Sequence, residues 1–223
     1  MRKILPFLFL FSLFVLGSCK NRGAYVEVEE SPLRENNFST LSEEPSIGEV
    51  HNYLLDIAHK NILSLRSTDG KIDMTDVLDL WFSSDYMKSQ NVSDEDRDIV
   101  YNNVLWFVNK LKDENANSAE DVAMFFQSLV PTGNTRASYG GIDVYQDVFE
   151  HSMNYWSTYL GVNLRGSGNG VIIADAAGSL WGLWGGAVGS IVAGAAASLM
   201  ANNPRAFMLV AEEYDWRCNP KYM

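Results

Sequence analysis

Residues 171–201 read VIIADAAGSLWGLWGGAVGSIVAGAAASLMA, and the fold turns on how this stretch is placed. Between Asp175 and Arg205 there are 29 residues without a charge, and six of them are glycine: Gly178, Gly182, Gly185, Gly186, Gly189 and Gly194. Three glycine pairs stand four apart (178/182, 182/186 and 185/189), and Ser190, Ala193 and Ala197 continue the small-residue face. On a helix that spacing gathers the small residues on one side, where a second backbone can approach closely. Trp181, Trp184, Leu180 and Leu183 put bulk on the other faces. Three placements compete: a transmembrane helix, a buried helical hairpin broken at Gly185-Gly186, and a membrane-active segment kept in water by the rest of the chain. About half the residues are Gly, Ala or Ser, so the apolar drive for a lone span is thin. Each glycine also costs about 1 kcal/mol against alanine in a soluble helix. The buried hairpin is the expectation.

Outward from this stretch, the chain of 223 residues is 47% hydrophobic, enough for one sizeable core. From Pro45 onward, helix starts recur. Ser46-Ile-Gly-Glu49 is a capping box, followed by Ile47, Val50, Leu54, Ile57, Ala58, Ile62 and Leu65 at helical spacing. Thr68-Asp-Gly70 ends that face, and Asp73 can cap a second helix carrying Val77, Leu78, Trp81 and Phe82. Ser93 opens a third with Ile99, Val100, Val104, Phe107, Val108 and Leu111, and Ser118 a fourth with Val122, Phe125, Phe126 and Leu129. Residues 142–160 make a fifth, closed by Gly161. The expected fold class is all-α: a compact bundle of about five amphipathic helices over 45–165, a Gly/Ala-rich apolar hairpin over 166–203, and a C-terminal segment, 204–223, packing on the bundle. Trp81, Trp106 and Trp156 at helical spacing are read as core rather than as a ligand platform.

The net charge of −11 argues against nucleic acid, whose binding needs clustered Lys and Arg. At the amino end, Arg2 and Lys3 precede an apolar run, Ile4 to Leu16, too short to span a bilayer but suited to a signal peptide (1–18). Leu16-Gly17-Ser18-Cys19 resembles the lipobox of bacterial lipoproteins. The resemblance implies cleavage behind Ser18, lipidation of Cys19, and a membrane partner reached through the attached acyl chains. Two or three chains at about 0.8 kcal/mol per buried methylene suffice for stable attachment. Removing Arg2 and Lys3 leaves 15 basic against 28 acidic residues, a net charge of −13, so the body should stand off an anionic membrane. Residues 19–44, polar and acidic without period, read as the tether. With Cys19 acylated, Cys218 is the only free thiol and reads as a small hydrophobe.

Few constellations carry chemistry. Asp69, Asp73 and Asp76 resemble the second half of an EF-hand loop, but Leu65 occupies the first ligand position and Asp replaces the final Glu, so calcium is a weak candidate and no metal is expected. His51, Asp56 and His59 lack zinc-helix spacing, and His151 stands isolated; these histidines are read as exposed or core-capping. Arg165-Gly-Ser-Gly-Asn-Gly170 lacks the phosphate-binding Lys and reads as a loop. Asp175 either caps the following helix or pairs with a buried Arg. No catalytic residue and no cofactor are expected.

The lipobox together with Ala174 to Gly178, Trp181-Gly182, Gly185-Gly186 and Gly189 resembles lipoproteins of the Bacteroidota type, and the glycine spacing resembles glycine-zipper and bacteriocin-like peptides. The resemblance brings no catalytic residues. The expectation is a non-enzymatic, lipid-anchored binding or structural protein of the bacterial cell envelope, at the outer membrane or cell surface, with a protein partner there. The alternative is a membrane-perturbing, pore-forming protein acting through residues 171–201, with Gly178, Gly182, Gly185, Gly186, Gly189, Trp181 and Trp184 as its packing or insertion residues.

Overall fold

Serine and aspartate caps set the helix starts. In the computed structural model, which describes residues 41–68, 70–129, 142–159 and 168–207, α1 (Ile47–Asn61) opens on a complete capping box. The Glu49 amide donates to Ser46 Oγ at 3.2 Å, and the Ser46 amide donates to Glu49 Oε2 at 3.0 Å. Asp73 caps α2 (Met74–Phe82) through the Thr75 amide. Ser84 caps a short α3 (Asp85–Ser89), and Ser93 caps the long α4 (Asp94–Asp113). At α5 (Ala119–Leu129) the Asp121 amide donates to Ser118 Oγ. There follow α6 (Ile142–Tyr159), α7 (Gly168–Gly182), a 3-10 turn (Leu183–Gly185), α8 (Gly186–Asn202) and α9 (Pro204–Phe207). The described residues are mostly helical and contain no strand, so the fold is all-α; an isolated antiparallel bridge joins Arg66 and Ile72.

The expected stripes are buried: Val50, Leu54 and Ala58 on α1, Val77, Leu78 and Trp81 on α2, and Val100, Val104, Phe107, Val108 and Leu111 on α4. Trp81 Nε1 donates to the Leu54 carbonyl at 2.7 Å, so a large core side chain also satisfies its polar atom. Helix α1 ends at Asn61, four residues before Leu65, because the Ser64 and Leu65 amides both turn back to the Asn61 carbonyl.

The stretch 168–202 forms an antiparallel hairpin. Every residue of α8 from Gly189 to Ala201 is buried, and α8 packs on α7, α1, α5 and α4. A helix apolar on all sides needs cover on all sides, and these elements supply it. The turn falls at Gly185-Gly186, with Gly186 at φ +67° and ψ −156°, a backbone state open essentially to glycine alone. The segment read as a loop, Arg165 to Gly170, is partly helical: α7 begins at Gly168. Gly170 lies against the Ala119 backbone, where a Cβ would come within 2.9 Å, so its glycine serves packing of α7 on α5.

The start of the C-terminal segment is docked: the Ile72 amide donates to the Ala206 carbonyl at 3.0 Å, and Phe207 is buried. Residues 1–40, with the signal peptide, Cys19 and most of the tether, and residues 208–223, with Cys218, lie outside the described residues.

Candidate functional site: a sealed polar cluster around Asp175

The small residues make a seam between two helices rather than a stripe along one. A Cβ on Gly178 would come within 2.6 Å of the Ala197 Cβ and 3.0 Å of the Ala193 carbonyl oxygen. One on Gly182 would strike the Gly189 carbonyl oxygen, and one on Gly194 would strike Ser179 Oγ. Gly185 and Gly186 play no part in this: Gly185 meets only Val100 at 3.4 Å, and Gly186 has open space around it. The spacing 185/189 is therefore a turn next to a seam residue, since the chain reverses there. Trp181 is half-buried, stacked on Trp106 at 5.8 Å and edge-on to Phe107 at 5.6 Å. The Trp184 side chain lies outside the described residues.

Behind the seam sits the one carboxylate of the hairpin. Asp175 is in mid-helix and fully buried, so it caps no helix, and among the described residues its partners are serines, a tryptophan and a histidine rather than an arginine. Its Oδ2 accepts from the Ser152 hydroxyl and from Trp156 Nε1 at 3.1 Å, and Trp156 Nε1 also reaches Ser198 Oγ at 3.2 Å. His51 Nε2 stands 3.7 Å from the same oxygen. Four helices thus meet at one cluster: α1 through His51, α6 through Ser152 and Trp156, α7 through Asp175, and α8 through Ser198, which accepts from Trp156. His51, Ser152, Asp175 and Ser198 are all wholly inaccessible. Among the described residues, Asp175 Oδ1 and His51 Nε2 make no hydrogen bond.

Burial pushes the Asp175 carboxyl above its usual range, because a buried anion loses its hydration; the His51 charge and the donated hydrogen bonds partly oppose this. Two turns further along α1, His59 Nδ1 lies 2.8 Å from the Tyr155 hydroxyl, with the Trp156 ring edge-on at 5.6 Å. Burial lowers its pKa to about 4. His51 and His59 are thus parts of the α1–α6–α7 junction, not surface groups. His151 is tied as well: its Nδ1 lies 2.9 Å from the Asp147 carbonyl oxygen, while Asp147 Oδ2 accepts from the Gly48 amide at the start of α1.

The cluster holds histidine, aspartate and serine, yet it is not arranged for acyl transfer. The serine hydroxyl donates to the carboxylate rather than to the imidazole, so the serine–histidine contact of a triad is not made, and the cluster is closed to solvent. As to metal, Asp73 uses an oxygen to cap α2, Asp76 is exposed, and Asp69 lies outside the described residues. No group of three or more His, Cys, Asp or Glu placed to hold a metal occurs among the described residues. A small notch between α4 and the hairpin, with room for little more than a water, is lined by Val100, Asn103, Val104, Trp181 and the Gly182 and Gly189 backbones.

Sequence reasoning singled out Asp175 but missed its partners. Ser152, Trp156 and Ser198 are separated from it by 19 to 23 residues, and nothing local in their spacing ties them to it. Comparison of the chain with protein-family models, with curated proteins and with solved structures found no match.

Proposed function

We propose that this chain is a lipid-anchored, non-enzymatic protein of the bacterial cell envelope that binds a protein partner there. Its body is a bundle of about five amphipathic helices wrapped on the Gly/Ala hairpin, carried on Cys19 by the acidic tether. The observation that carries this reading is Leu16-Gly17-Ser18-Cys19 at the end of an apolar run that follows Arg2 and Lys3. The His51/Ser152/Asp175 cluster is sealed from solvent, and a reacting group must meet its substrate, so this cluster is read as structural. Mass spectrometry of the mature protein tests it: the reading expects a chain beginning at Cys19 with acyl chains attached. A free thiol at Cys19, or release of the protein into culture fluid, contradicts it.

The competing reading, membrane perturbation through 171–201, asks the hairpin to leave its place. Burial of α8 from Gly189 to Ala201 gives it a home in water, and no helix of the described residues is long and apolar enough to cross a membrane. Rapid dye release from liposomes by the whole protein would favour insertion over the anchored binding role.

A further inference from the structure

The hydrogen bonds around His51 fix a proton count. Asn52 Nδ2 donates to the His151 carbonyl at 3.0 Å, a partner that can only accept, so the amide's other atom, Oδ1, must be the one facing His51. His51 Nδ1 lies 3.0 Å from that oxygen and therefore donates to it. A neutral His51 then has a bare lone pair at Nε2, 3.7 Å from Asp175 Oδ2. Two electron-rich atoms would face each other in a site closed to solvent, unless one proton is shared out between imidazole and carboxyl. Either the imidazole carries it, giving a buried ion pair, or the carboxyl carries it, giving two neutral groups.

We propose that His51 and Asp175 bind one proton between them as the chain folds, and that this proton locks the α7–α8 hairpin against α1 and α6. The proton comes from water or buffer and bonds to nitrogen or oxygen of the pair; no other bond changes. In the unfolded chain at pH 8 neither group holds it, since ordinary aspartate and histidine titrate near 4 and 6.5. Folding above neutral pH therefore consumes one proton.

The neighbours leave this count intact. On α1, His59 sits edge-on to the Trp156 ring and the buried Asp56 lies five residues beyond His51; on α6, Tyr155 is bonded to His59 while His151 is turned to Asp147. From α8 the neighbour is Ser198, and among the described residues His51 is the charged group whose field acts on the Asp175 carboxyl. The upward displacement of that carboxyl by burial has the same sign: its contribution is complete below pH 3.8 and lost as pH rises through the folded value. With the pair holding one proton and the unfolded chain none, the folding constant falls tenfold per pH unit.

Urea unfolding of the full chain between pH 7 and 9, followed by tryptophan fluorescence, tests this. The wild type should lose a factor of about ten in its folding constant per pH unit, and Asp175→Asn should remove that slope. The difference between the two cancels thiol and amino-group titrations common to both. Should Asp175→Asn not fold, Ser152→Ala is the second variant: with one donor to the carboxylate gone, the slope should persist to higher pH than in the wild type. Nitrogen NMR of His51 supplies a readout that simple loss of packing would not move, with Nδ1 protonated throughout. A wild-type folding constant that is flat from pH 7 to 9, equal slopes in wild type and Asp175→Asn, or a neutral His51 protonated at Nε2 would each overturn the proposal.

Discussion

Helix α4 and helix α8 are built on opposite rules. In α4, five buried side chains, Val100, Val104, Phe107, Val108 and Leu111, form one stripe while Asp94, Glu95 and Asp96 face water. In α8, thirteen consecutive residues are buried and none is larger than methionine or leucine. The first gains stability by filling space with large side chains. The second gains it by removing side chains so that backbones meet, as at Gly182 against Gly189. The two regions should therefore fail in opposite ways, α4 by losing atoms and the hairpin by gaining them.

The largest effect belongs to deletion in the striped region. Phe107 is fully buried and edge-on to Phe126 at 4.9 Å, so Phe107→Ala should destabilise by about 4 kcal/mol in urea unfolding. In the seam the sensitive direction is addition. Gly182→Val places two methyls where even a Cβ strikes backbone, and a loss of about 3 kcal/mol is expected, since a carbonyl cannot move aside as a side-chain end can. Equal tolerance of the two changes would break the comparison.

A third test separates the α1–α6 junction from the seam by pH. The folded pKa of His59, about 4, lies below its unfolded value of 6.5. The stability this contributes is present above pH 6.5 and lost as pH falls toward 4, by up to about 3 kcal/mol. His59→Gln should flatten the acid limb of a stability–pH profile and leave its alkaline limb alone. The sign is opposite to that of Asp175, so the two limbs report different groups.

Smaller effects sharpen the boundary. Ser46→Ala removes one half of the α1 capping box and should cost about 1 kcal/mol. Gly185→Ala should change stability by less than about 0.5 kcal/mol, because its nearest neighbour would be the Val100 methyl at ordinary contact distance. A loss at Gly185 as large as that at Gly182 would restore the single-stripe reading of the glycines.

Legibility in the sequence followed the same division. Caps at Ser46, Asp73, Ser93 and Ser118 are local chemistry, and each marks a helix start in the structure. The break at Gly185-Gly186 was visible because two adjacent glycines in an uncharged run have few other uses. Helix α3 escaped because five residues are too few to show a period, although Ser84-Asp85 carries a cap signal. Gly168 to Gly170 looked like a loop because glycine density signals turns locally, whereas the demand for Gly170 comes from Ala119 some fifty residues away. The Asp175 cluster was the least legible. A lone carboxylate in an apolar run announces a buried partner, but which histidine, serine and tryptophan meet it is decided by how four helices cross.

The central claim is that residues 168–202 form the interior of the folded protein, held there by the helices around them. Amide hydrogen exchange on the whole protein, with and without lipid vesicles, tests it most directly. The account predicts that Gly189 to Ala201 exchange slowest of the described residues, with protection equal to global stability and unchanged by vesicles. Fast exchange there in water, slowed only when lipid is added, would contradict it.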